Sequence, residues 1–305
     1  MVHAQSMSSV PASVRTAPAD PWERFGWMMG AIWLVFLAFP IGHLTSRRTA
    51  ARKAFIPFLT AGDPDLEFTQ AVVRELAQRG CDICELGIPY SDPIADGPVI
   101  QASYTRALEH HVQLDDILRH IQAITPTLAM PLVTMVTYSI IYRQGLDDYV
   151  SRAKAAGIAG AIVPDLPVEE AAPLATICRR EDFSLIQLVT PTTPTERALR
   201  IADSSTGFLY YVTVTGITGE RAALPPAIVD DVAKLRESTH LPICVGFGIS
   251  RPEQVRLLAP VADGLIVGSA IVRRIAAAAD RPRAEVLQDV GSYVSELIAA
   301  LRAAE

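Results

Sequence analysis

Residues 82–98 read Asp82-Ile-Cys-Glu-Leu-Gly-Ile-Pro-Tyr-Ser-Asp-Pro-Ile-Ala-Asp-Gly-Pro98. A short apolar run carrying one carboxylate, Glu85, enters a loop dense in Gly and Pro, and a helical pattern opens just beyond, at about Val99. The strand fixes Glu85 rigidly, while the loop brings in Asp92 and Asp96, the division of labour that proton-transfer chemistry needs. Glu85 and Asp96 are too far apart in sequence for one helical face, yet both reach one cleft if the loop folds back. Asp before Pro or Gly also favours turns, so the carboxylates alone leave a purely structural reading open.

Working outward, the same strand–loop–helix unit recurs along the chain. Residues 54–59 read as a first strand and 66–79 as its helix, with apolar positions at Val72, Val73, Leu76 and Ala77. The carboxylate loop leads into helical patterns over 99–109 and 114–124. Further strands fall at 131–136, 159–163, 184–189, 207–212, 242–245 and 264–267. Helical patterns follow at 146–156, up to Arg180, from Pro194, and over 226–237, 252–258 and 283–303. Short apolar runs alternating with amphipathic helices predict parallel strands covered by helices. Eight such pairs in about 250 residues predict an α/β protein built as a (β/α)₈ TIM barrel, not an open doubly wound sheet. The catalytic domain is expected to span 51–305.

The chain has 305 residues, half of them hydrophobic, and a net charge of −6, so no general nucleic-acid surface is expected. Cys81, Cys84, Cys178 and Cys244 are scattered as reduced thiols would be. Cys81-x-x-Cys84 sits at a strand entry and no second Cys/His pair answers it, so it reads as core packing. The six histidines form no ligand spacing, and no metal is expected.

Residues 1–24 lack periodicity and read as a disordered tail. Residues 25–46 form an apolar helix with no formally charged residue, long enough to be a candidate membrane span. Trp27 lies near its end, where an interfacial anchor belongs. Arg47, Arg48, Arg52 and Lys53 follow at once, which predicts the tail outside and a cytoplasmic catalytic domain tethered to the membrane. A cleaved signal peptide would carry its charge before the apolar run. The open alternatives are a hydrophobic helix packed on the domain, or upstream sequence joined by a wrong start site.

Barrels of this kind keep their chemistry at the C-terminal ends of the strands. Glu85 is at such an end, with Asp96 beyond it. Gly246-Phe-Gly248 and Gly268-Ser269 stand at the last two strand ends, where backbone N–H groups approach an anion closely and a helix opening near Ser269 aims its positive end. That pattern predicts a phosphate site, although tight turns alone also use glycine. Residues 214–221, with Gly216 and Gly219, are long enough to close as a lid, and Gly219 is placed to offer its N–H to the phosphate. The sum is acid–base chemistry on a small phosphorylated substrate, without metal or nucleotide.

These residues resemble the tryptophan synthase alpha chain family. The likeness is carried by Phe55-Ile-Pro-Phe-Leu-Thr-Ala-Gly-Asp-Pro64, by residues 85–98, by Pro164-Asp-Leu-Pro-Val-Glu-Glu170, by Tyr210-Tyr-Val-Thr-Val-Thr-Gly-Ile-Thr-Gly219 and by Gly246-Phe-Gly-Ile-Ser250, within a match over about 51–300. The resemblance implies retro-aldol cleavage of indole-3-glycerol phosphate to indole and glyceraldehyde 3-phosphate. It also implies no cofactor in this chain, and a PLP-dependent beta chain as partner in an alpha2-beta2 heterotetramer.

By position, the resemblance makes Glu85 the general acid/base and Asp96 the carboxylate on the indole N–H. It places Tyr210 beside Glu85 and makes Phe58 an aromatic wall for indole. Gly219, Gly246, Gly248, Gly268 and Ser269 become the phosphate contacts, while Asp92 and Thr218 ride on closing loops. Two departures stand out: Tyr138 is followed by Ser139-Ile140 where the family has Tyr-Asn-Pro, and the apolar stretch replaces a soluble N-terminal helix. The altered loop leaves a stand-alone lyase releasing free indole as an alternative. A phosphate-sugar isomerase or epimerase and a non-catalytic membrane-tethered barrel are the remaining readings.

Overall fold

The computed structural model describes residues 52–94, 96–213 and 227–305. The expected tail, the 25–46 span, and Gly216, Thr218 and Gly219 of the expected lid lie outside the described residues.

Nine parallel strands form the sheet: β1 (Ala54–Thr60), β2 (Cys84–Gly87), β3 (Leu132–Met135), β4 (Ile158–Ile162), β5 (Ser184–Ile186), β6 (Leu188–Val189), β7 (Leu209–Val212), β8 (Ile243–Gly246) and β9 (Gly264–Val267). Their order is β5-β4-β3-β2-β1-β9-β8-β7-β6. β5 and β6 are two halves of one barrel stave, interrupted at Gln187, so the ring closes through the covalent chain and has eight staves. The sequence predicts that stave as one strand over 184–189. At the interruption the Gln187 carbonyl still accepts from the Tyr210 N–H at 3.1 Å, and its side-chain oxygen accepts from the hydroxyls of Ser204 and Ser205.

The helices are α1 (Leu66–Gln78), α2 (Pro98–Glu109), α3 (Leu114–Gln122), α4 (Tyr138–Gln144), α5 (Leu146–Ala155), α6 (Ala172–Arg180), α7 (Thr195–Ser204), α8 (Ile228–Ser238), α9 (Pro252–Leu258), α10 (Ser269–Ala276) and α11 (Arg283–Arg302). Most bounds differ from the expected ones by a residue or two. α6 begins later than expected, because Ala171 has to follow a run of turns after Pro167. α4 has no counterpart in the sequence reading. Its start is fixed by a long-range acceptor, Asp165, which takes the Tyr138 N–H at 2.7 Å and the Thr137 hydroxyl at 2.6 Å. Thr137 is the local N-cap, its hydroxyl accepting from the Ser139 N–H at 3.3 Å, whereas the contact with Asp165 has no local signature.

The strands alternate as a two-residue period requires. In β1, Ala54, Ile56 and Phe58 enter the barrel interior, whereas Phe55 and Leu59 pack outward under the helices. Val133 and Met135, Tyr210 and Val212, Cys244 and Ile266 fill the same interior from other staves. Cys81 and Cys84 are buried, unbridged and part of the outer core, as packing residues. Burial pushes the Cys81 thiol up to about 12, which makes it inert.

The N-terminal rim is held by acids paired with arginine. Asp82 accepts from the Phe55 N–H at 2.8 Å, from Arg302 of α11 at 2.9 Å and from Arg52 at 3.2 Å. Asp263 accepts from the Ile243 N–H at 2.9 Å and from Arg236 of α8 at 2.8 Å. These contacts tie the last helix to the start of the barrel. Asp82→Ala is therefore expected to lower unfolding free energy by about 1–3 kcal/mol, mainly because it leaves the buried Phe55 N–H without its acceptor, while Arg302 keeps its contact with Glu305. Urea denaturation measures this, and a midpoint equal to that of the unaltered chain would refute the anchoring role.

Candidate active site

β1, β2 and β3 place the first acid. Glu85 is in register with Phe58 on one side and Val133 on the other, so its side chain shares their inward direction. Tyr210 lies on β7, four staves away by either route round the ring, and thus faces Glu85 across the barrel. The loop after β2 folds back over this interior and brings Asp96 to the same cavity. Its backbone is stapled by α2: the Gln101 side-chain amide donates to the Asp96 carbonyl at 2.7 Å and to the Pro93 carbonyl at 3.1 Å.

The result is a cavity at the C-terminal ends of the strands. Glu85, Asp96 and Tyr210 supply its polar groups, and Phe58 is one aromatic wall. Gly248, Gly268 and Ser269 line its other end. Seven of the sequence-predicted site residues therefore meet in one place. Gly246 does not line it. A Cβ there would lie 2.5 Å from the Tyr210 hydroxyl, so this glycine serves by leaving room for the ring. Gly87 does the same for Phe58 across the barrel, where a Cβ would lie 2.6 Å from the ring tip.

Sequence reasoning missed Ile100, Met135, Phe247, Ile249 and Ile266, which complete the walls. Met135 and Ile266 were legible from strand alternation, and Phe247 from its place between two glycines. Ile100 follows from its position one turn beyond Asp96.

Charge is what sets this cavity apart. The buried acids Asp63, Asp82 and Asp263 each have a guanidinium partner, Asp63 through a two-point contact with Arg106 at 2.7 and 2.8 Å. Glu85 is wholly buried, and neither carboxyl oxygen has a hydrogen-bond partner. Burial, reinforced by the nearby Asp96, pushes it up to about 8, so it is protonated at neutral pH. Burial also raises Asp96, to about 6, opposed by a hydrogen bond from the Tyr90 hydroxyl. Two carboxyl groups with separated ionisations give one acid and one base in a single pocket.

The far end suits an anion. Phe247 and Gly248 both adopt positive φ, 74° and 77°. The strained Phe247 is held by the Thr213 hydroxyl, which donates to its carbonyl at 2.7 Å, and by its ring against Tyr210. α10 starts at Ser269: the Ile271 and Val272 N–H groups donate to the Gly268 carbonyl at 2.8 and 3.1 Å, so the N–H groups of Ser269 and Ala270 are the ones without an acceptor inside the helix. Among the described residues no group of three His, Cys, Asp or Glu side chains is placed to hold a metal.

Comparison with known proteins converges on one family. The family profile described as "Tryptophan synthase alpha chain" matches residues 44–301. The alpha chain of Rhodopirellula baltica is 58% identical over 254 residues, covering 82% of this chain and 91% of that protein. The Trichormus variabilis alpha chain is 46% identical, covering 82% and 93% respectively. Among solved structures, tryptophan synthase subunit alpha from Legionella pneumophila superposes with a TM-score of 0.79 at 34% identity, covering 87% of this chain and all of that one. A Mycobacterium tuberculosis tryptophan synthase structure gives 0.78 at 32% identity, with 87% and 99% covered.

The steric role of Gly246 is directly testable. Gly246→Ala is expected to displace Tyr210 and destabilise the fold by about 1–3 kcal/mol through overpacking. Made in a Tyr210→Ala background, the same Gly246→Ala change should cost little further stability in thermal denaturation. Equal stability of Gly246→Ala and the unaltered chain would exclude the packing role.

Proposed function

The chain belongs to the tryptophan synthase alpha chain family, and from that premise we propose how its own residues perform the family reaction. It is a lyase of tryptophan biosynthesis that cleaves indole-3-glycerol phosphate to indole and glyceraldehyde 3-phosphate. The observation that carries the assignment of roles is the neutral, partnerless Glu85 facing the same cavity as an ionisable Asp96.

The scissile carbon–carbon bond breaks only after the indole ring becomes an electron sink. Glu85 donates its proton to the ring carbon that bears the side chain, leaving positive charge at the ring nitrogen. Asp96, ionised above about pH 6, accepts the indole N–H and stabilises that charge. The Glu85 carboxylate then takes the proton of the adjacent side-chain hydroxyl. The C–O bond becomes a carbonyl, the C–C electrons return to the ring, and aromatic indole leaves with aldehyde as the other product. Glu85 ends protonated, as it began.

Tyr210 confines the Glu85 side of the cavity, and Phe58 with Ile100 and Met135 forms an apolar slot for the ring. In this reading the phosphate is held by amides at Gly248, Gly268 and Ser269, and the family resemblance assigns a further amide to Gly219, which lies outside the described residues. Loops carrying Asp92 and Thr218 close over the bound substrate and exclude water.

The alpha chain needs no cofactor of its own; PLP belongs to the beta chain with which the family partners. For this chain, an alpha2-beta2 heterotetramer is the proposed assembly, with the loop after β2 and α4 facing the partner. Among the described residues no helix is long and apolar enough to cross a membrane. A membrane tether through residues 25–46, with the barrel on the cytoplasmic side, rests on their apolar sequence and basic flank alone. Cell fractionation decides it: the full chain is expected in the membrane pellet after an alkaline wash, and recovery in the soluble fraction would remove the tether.

The rate requires Asp96 charged and Glu85 neutral. It is expected to rise as pH passes about 6 and to fall above about 8, with a maximum near neutrality. Glu85→Gln, which removes the proton but little volume, should lower kcat by roughly 10²–10⁴-fold with KM nearly unchanged. Near-normal turnover by that variant, or a profile without a basic limb, would refute the acid/base assignment.

A further inference from the structure

Asp96 must stay charged in a place that disfavours charge, and the loop that carries it contains its own remedy. Tyr90 lies six positions earlier on the same loop, and its hydroxyl donates to Asp96 Oδ2 at 3.4 Å. The Tyr90 ring rests on Tyr104 of α2, with centroids 5.5 Å apart and planes tilted by 57°. Tyr104 is itself buried, and its hydroxyl sits over the Cα of Gly87 at the end of β2. A chain of contacts thus runs from the strand that bears Glu85, through two aromatic rings, to the carboxylate of Asp96.

We propose that Tyr90 is a positioning residue for the cleavage reaction, its hydroxyl fixing the Asp96 carboxylate as a charged acceptor for the indole N–H while Tyr104 props its ring. This deepens the functional reading above and rests on it. The Asp96 backbone is already held by Gln101 and Pro93, so what remains to be set is the direction and charge of the carboxylate. The other groups that act on Asp96 or Tyr90 among the described residues are acidic or phenolic: Glu85 from β2, Tyr104 from α2, Tyr210 from β7, Asp92 from the same loop and Asp165 from the loop after β4. None of these favours the charged form of Asp96. The Tyr90 hydroxyl does, against the desolvation that raises it. The geometry gives Tyr90 a role that a ring alone cannot fill.

The test is Tyr90→Phe in the full chain, which keeps the ring and its contact with Tyr104. Cleavage of indole-3-glycerol phosphate is measured for both proteins from about pH 5 to pH 9. The acid limb of the variant is expected to move upward by about one pH unit, with a loss of about tenfold below pH 6 that recovers near pH 8. Its basic limb, which belongs to Glu85, should stay in place. Indole binding followed by calorimetry across the same pH range reads the same ionisation without turnover. An unshifted acid limb, or a loss of equal size at every pH, overturns the role of Tyr90. An inactive unaltered chain would instead overturn the functional reading on which it rests.

Discussion

A carboxyl group sealed inside a barrel without a hydrogen bond is the constraint on which this structure turns. Taking a charged carboxylate out of water is very unfavourable unless a partner compensates, so Glu85 keeps its proton. Elsewhere the fold avoids that situation consistently, since Asp63, Asp82 and Asp263 all meet guanidinium groups. The exception lies where the strands end and a substrate enters. In the mechanism proposed above, a neutral acid at that point supplies a proton to carbon, the same isolation makes the resulting anion a strong base, and the cleavage draws on both properties in turn.

The two ends of the barrel divide the work. At the N-terminal rim, Asp82 and Asp263 tie strand starts to α11 and α8, and their contribution is cohesion. At the opposite rim, the polar groups converge on open space. Between the two, alternating side chains from the staves fill the interior, so the reactive groups stand on a packed floor and water has no route from below. The proposed mechanism needs rigidity there, because in it Glu85 serves two different atoms of one substrate without moving far.

Much of this was legible in the sequence, for physical reasons. The eight staves announce themselves because parallel strands buried on both faces need short, continuous apolar runs, and Glu85 stands out as the one acid inside such a run. Asp96 and the late glycines are legible because loops at strand ends need Gly, Pro and Asp. What escaped depends on contacts between distant residues. The Tyr138 N–H at the start of α4, for instance, donates to Asp165, 27 positions away in sequence. Gly246 illustrates a different limit: a glycine at a strand end reads as an anion contact, yet the space it leaves is taken by Tyr210. The family resemblance, by contrast, depended on loop motifs, and those are also where the cavity took shape.

Gly87 and Gly246 sit on strands at different points of the ring, each yielding its side-chain volume to an aromatic ring from another residue. The aperture of the pocket is therefore gauged by what two positions lack. Phe58 and Tyr210 are seated against bare backbone, which gives them no slack to retreat when a ligand presses on them. If substrate occupies the pocket as proposed, a fold built this way selects by thickness, because a ring too bulky for the space would have to push Phe58 or Tyr210 against main chain, the least compliant part of any protein.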